Sequence, residues 1–101
     1  MKNFVIPPKI RRVSKLEKKN LSSRLNKLFE EGGELAVEVL RYNDEKSAKG
    51  KTKDEVLYDL HLEAVDCMLM AMDILAHTGA TDKRIRKIMI GQMAKWEDKS
   101  R

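Results

Sequence analysis

Apolar residues recur along this chain at helical spacing. From about Leu21 to Tyr42 the positions Leu21, Leu25, Leu28, Leu35, Val39 and Tyr42 fall on one face of an α-helix. The stretch "NDEKSAKGKT", 43 to 52, breaks the pattern and reads as a loop. Thr52 followed by Glu55 is a capping box that opens a long helix to about His77, stopped before Gly79. Thr81 with Asp82 starts a last helix ending near Asp98. Ahead of these, Pro7 and Pro8 predict an extended arm over residues 1 to 8. Residues 9 to 20 are basic and fit a short helix with a thin stripe of Ile10, Val13 and Leu16, and Asn20 or Ser22 caps the helix that starts at Leu21. The expected fold is all-α: a basic arm or short helix over 1–20, then a helical domain over 21–101.

The long helix carries apolar residues round most of its circumference, which is the pattern of a helix buried on all sides. A chain of 101 residues can hardly cover it alone. The expectation is a homodimer or homotetramer, with Met68, Met70 and Met72 as packing filler in a shared core.

Composition narrows the function classes. Aromatic content of 5% and only two prolines argue against a β-sandwich. The lone Cys67 excludes an internal disulfide and a zinc-type cysteine pattern, and suits a reducing cytoplasm. The N-terminus has no apolar core of signal-peptide length, and no run reaches the ~18 apolar residues of a membrane span. A formal charge of +5 favours polyanionic partners. The cations crowd Lys9 to Lys27 and Lys83 to Arg101, around an acidic middle that suits a metal-bound polyphosphate better than plain DNA.

The acidic middle violates local helix preferences. In "LFEEGGELAVEVL" each glycine costs about 1 kcal/mol relative to alanine, and like charges four apart cost a few tenths more. At ~100° per residue, Glu31, Glu34 and Glu38 lie within about 60° of one another. On the long helix Glu63 and Asp66 form an i,i+3 pair amid Leu60, Leu62, Val65 and Leu69, with Asp59 and Asp73 on the same side. Two carboxylates ~5 Å apart repel by roughly 3 kcal/mol at an effective dielectric of 20. Four converging would rival a domain stability of about 5–15 kcal/mol. Either some acids stay protonated, or the helices do not converge, or cations sit between them. Oxygen ligands without His or Cys select Mg²⁺ or Mn²⁺. The competing expectation is a wet surface on which these glutamates pair with Arg24, Lys27 or Arg41. A di-iron bundle would need Glu-x-x-His pairs, and neither His61 nor His77 has a glutamate three residues before it. "GKT" at 50 to 52 lacks the upstream glycine of a phosphate loop.

"EEGGEL" followed by "EAVD" resembles the E-E-x-x-E … E-x-x-D signature of the MazG-like all-α nucleoside triphosphate pyrophosphohydrolases. The 28 residues between Glu34 and Glu63 suit that group, and the resemblance spans about residues 21 to 98. It implies hydrolysis of a nucleoside triphosphate to monophosphate and pyrophosphate, with Mg²⁺ held by Glu31, Glu34, Glu63 and Asp66, in a bundle completed by dimerisation. Glu30 or Glu38 would orient the attacking water or support a ligand. Many members carry Lys, Asn and Arg on the last helix, where this chain has "GQMAKWEDKSR". Lys95 and Lys99 are candidates to reach phosphates, Trp96 to stack on a base, and Arg84, Arg86 and Lys87 to add phosphate contacts. Gly32 and Gly33 are expected to let a neighbouring helix or a phosphate approach closely. The alternatives are a non-catalytic basic module that binds nucleic acid through "KIRRVSKLEKKN", and an inactive relative serving as a scaffold. Without interleaved aromatics, nucleic-acid stacking is not expected.

Overall fold

The computed structural model describes residues 2–101 and contains, among these, four helices and no strand. They are α1 (Pro8–Leu16), α2 (Leu21–Tyr42), α3 (Lys53–His77) and α4 (Asp82–Lys99). Position 1 of the expected arm lies outside the described residues. None of the helices is long and apolar enough to cross a membrane.

Each boundary has a local chemical cause. Pro8 occupies the first turn of α1, where its missing N–H costs no helical bond. α1 ends at Leu16, before the expected limit of 20, because Glu17 is extended. Asn20, rather than Ser22, caps α2 by accepting from the Ser23 N–H at 2.8 Å. The Thr52–Glu55 capping box starts α3, with both reciprocal bonds made. After the last turn Gly79 takes φ of +79°, a left-handed conformation that glycine adopts without a Cβ penalty. Thr81 then caps α4 through the Arg84 N–H.

α3 is the spine, packed against α2 along its length and against α1 near its C-terminal end. A buried Arg24 locks that junction. Its guanidinium pairs with Asp73 of α3 and donates to the Ser14 hydroxyl and to the carbonyls of Ser14, Glu17 and Lys19. Each nitrogen of the guanidinium therefore meets an oxygen, which is the condition for burying a charge.

α4 stands apart. No residue of it lies within 8 Å, Cα to Cα, of another helix. Its ties run to the arm and α1: Asp82 accepts from the Ile6 N–H (2.9 Å) and Arg11 (2.7 Å), and Arg86 donates to the Phe4 carbonyl (2.8 Å). Ile6 and Ile85 are buried; with Val56 they are the three buried apolar residues among those described. The long helix that the sequence marks for burial on all sides is thus only partly covered in one chain, with Tyr58, Leu62, Val65 and Met68 exposed. The accessible surface is 7768 Å², against about 5,900 Å² for a folded monomer of this mass. The radius of gyration of 16.2 Å likewise exceeds the ~13 Å of a compact chain this long.

Candidate functional site

Antiparallel packing of α2 on α3 brings the two acidic turns together. Glu31, Glu63 and Asp66 each offer a carboxylate oxygen within 4.8 Å of the others, and so do Glu30, Glu31 and Glu34. The two triads share Glu31, the most covered member, at 7% exposure. The four expected metal ligands are therefore split between two overlapping groups. Glu34 is exposed and close enough to Glu63 to act on its acidity.

Burial, followed by the neighbouring carboxylates of Glu31 and Glu34, pushes the Glu63 acid up to about 7. Of the three outcomes the sequence allowed, the helices do converge, and one acid holds its proton near neutrality when no cation is present. The Oε2 atoms of Glu31 and Glu63 are covered and have no hydrogen-bond partner. Unpartnered buried oxygens are costly, and a hard cation would satisfy them. An all-oxygen donor set at this spacing fits Mg²⁺ or Mn²⁺.

Cations flank the cluster. Lys27 reaches Glu30 and Glu31, each at 3.3 Å, and these partners, Glu31 first, raise its pKa. Arg41 holds Glu38 at 2.6 Å, leaving the Glu38 Oε2 and the Arg41 Nε covered and unpartnered. Of the surface-pairing expectation the pairs are found, Lys27 with Glu30 and Glu31 and Arg41 with Glu38, but only Glu30 of the three acids is exposed, and Arg24 instead takes Asp73. Asp59 and Asp73, placed by helical spacing on the acidic side, are drawn off into pairs with Lys51 (2.5 Å) and Arg24. Burial, then the surrounding carboxylates, raise the Cys67 thiol pKa, which disfavours its thiolate.

Arg84, Lys95, Trp96 and Lys99 all project from α4, exposed and on a helix that does not pack on α2 or α3. Within one chain they are not brought to the acids. Nor does any helix of the chain crowd Gly32 or Gly33, where an added methyl would meet no atom within 4 Å. Sequence reasoning missed a cavity of about 460 Å³ between α1, α2 and α3, lined by Ile10, Val13, Leu69 and Met70 and reaching Lys27. Its signal was the thin apolar stripe of α1, which needs an apolar partner.

Comparison with known proteins gives no match among family models, curated proteins or solved structures.

Proposed function

We propose that the protein is a divalent-metal-dependent nucleoside triphosphate pyrophosphohydrolase, MazG-like in its acidic motifs. The reaction is (d)NTP plus water to (d)NMP plus pyrophosphate. The observation that carries this reading is the convergence of Glu31, Glu63 and Asp66 carboxylates within 4.8 Å across the α2–α3 interface, with the Oε2 atoms of Glu31 and Glu63 covered and unpartnered. A surface of solvated glutamates has no reason to bury them.

In this reading Glu31, Glu34, Glu63 and Asp66 hold Mg²⁺, with Mn²⁺ as a substitute. Bound there, the ion supplies charge neutralisation on the phosphate oxygens and a more acidic water. Glu38 presents a covered free oxygen and Glu30 an exposed one, and either accepts a proton from, or orients, the attacking water. Lys27 neutralises Glu31 until the site is loaded. The cavity beside Lys27 gives a nucleoside room. Arg84, Lys95, Trp96 and Lys99 remain the proposed phosphate and base contacts. The functional particle is a homodimer or homotetramer, supported by the excess surface of the single chain and by exposed Phe29, Leu62, Val65 and Met68. A lone thiol suits a cytoplasmic setting.

The test is a nucleotide panel with and without Mg²⁺, read by pyrophosphate release. Turnover that requires the metal and vanishes in Glu34→Ala and Asp66→Ala, both still helical, is expected. Salt-sensitive DNA binding with no turnover would instead favour a nucleic-acid module.

A further inference from the structure

We propose that the cavity between α1, α2 and α3 seats the nucleoside of a substrate held within one chain, and that Lys27 turns from Glu30 and Glu31 to the phosphate adjoining that nucleoside once a cation takes those carboxylates. The proposal rests on the hydrolase reading for the reaction, but not for the binding site.

Both helices place the cavity one turn from the acids. Lys27 precedes Glu31 by four residues on α2, and Met70 follows Asp66 by four on α3. Four residues are ~6 Å of helix and ~40° of rotation, so Lys27 and Met70, which line the cavity, share the faces that carry the cluster. The Arg24–Asp73 pair sets the start of α2 beside the end of α3, so the two offsets point the same way. Along the groove the order is acid cluster, cavity, Arg24–Asp73 pair, over about 10 Å of helix. α1 closes the third side, with Ile10 and Val13 lining the space together with Leu69 and Met70. Its volume of about 460 Å³ is that of a small-molecule site, apolar with a few polar groups. The apolar walls suit the faces of a base. Asp73, whose Oδ1 takes Arg24, keeps Oδ2 as an acceptor for a base N–H. Lys27 spans the boundary: it lines the cavity, and its Nζ is 3.3 Å from both Glu30 and Glu31. Glu31 is 7% exposed and its Oε2 has no partner, which gives a cation its seat there. With its carboxylates occupied, the half-exposed ammonium of Lys27 has the nearest phosphate as its anion.

The test is titration of the full chain, with Mn²⁺ present, with the α,β-methylene analogues of the deoxynucleoside triphosphates, whose bridging carbon blocks the reaction. Val13→Trp fills the cavity from its rim, and Leu16→Trp, exposed on α1 and outside the lining, is its control. Val13→Trp is expected to weaken analogue binding about tenfold while Mn²⁺ and pyrophosphate bind as before, and Leu16→Trp to change nothing. Lys27→Met is expected to tighten Mn²⁺ and yet weaken the analogue about tenfold, and Lys27→Arg to keep analogue binding. Analogue affinity indifferent to Val13→Trp, or a loss that pyrophosphate shares, overturns the nucleoside seat. Metal and analogue affinities that rise together in Lys27→Met overturn the change of partner. Pyrophosphate release, measured separately, keeps the two failures apart. A chain without turnover that shows these binding effects sinks hydrolysis and supports the site. An active chain indifferent to both substitutions sinks the site alone.

Discussion

Arg24 is 2% exposed, and its guanidinium forms an ion pair with Asp73 that ties the first turns of α2 to the last turns of α3. It also gathers the Ser14 carbonyl of α1 and the Glu17 and Lys19 carbonyls of the α1–α2 connection. Arg24→Ala removes one partner and strands the rest, which for a buried pair costs about 3–5 kcal/mol. Urea unfolding should show a loss of this size, and amides of α1 should exchange faster than those of α3.

The acid cluster should oppose stability when empty. Glu31 repels Glu63 and Asp66, each contact being worth roughly 1–3 kcal/mol at an effective dielectric of 20. Glu31→Gln is therefore expected to abolish Mg²⁺-dependent turnover while raising the melting temperature of the metal-free protein. A lower melting temperature would mark Glu31 as a structural residue instead.

Proton linkage gives a pH signature. Glu63 titrates near 7 when folded, above its ordinary value of 4.5, so the folded state binds more protons between these values. Metal-free stability should then fall as pH rises from about 4.5 through 7 and level off above. Divalent affinity should run the opposite way, rising through the same window as the ion displaces the proton. Calorimetric titrations with Mn²⁺ at pH 6 and pH 8 check this, and Glu63→Gln should flatten both trends.

Lys27 competes with a metal for Glu31 and Glu30. Lys27→Met should tighten Mn²⁺ binding at neutral pH, read by titration. Weaker binding would mean that the ammonium organises the carboxylates rather than masking them.

Gly32 and Gly33 sit exposed on α2 between Phe29 and Ala36, with open space around them. Alanine at both positions removes a helix penalty of about 1 kcal/mol each and clashes with nothing in the chain. The double variant is expected to be more helical and yet to dimerise more weakly, because a second copy's helix would meet the added methyls. Unchanged association by sedimentation would show that no neighbour approaches there.

Local chemistry decided the elements. Thr52 with Glu55, Asn20, Thr81 and Gly79 mark helix ends through bonds to residues a turn away, and such bonds are legible in the order of residues alone. The meeting of Glu31 with Glu63 and Asp66 was legible only as one of several outcomes, because helical spacing puts each acidic pair on one face of its own helix and does not say that the two faces pack on each other. Tertiary structure alone decided which acids stay in the cluster. Asp59 and Asp73 share its helical face, but Lys51 and Arg24 reach them from elsewhere in the chain and neutralise them. It also decided that α4 leaves the bundle, since hydrogen bonds between the N-terminal arm and Asp82 and Arg86 hold that helix where periodicity gives no sign of it. Contacts between residues dozens of positions apart depend on packing in space, and periodicity carries no record of them.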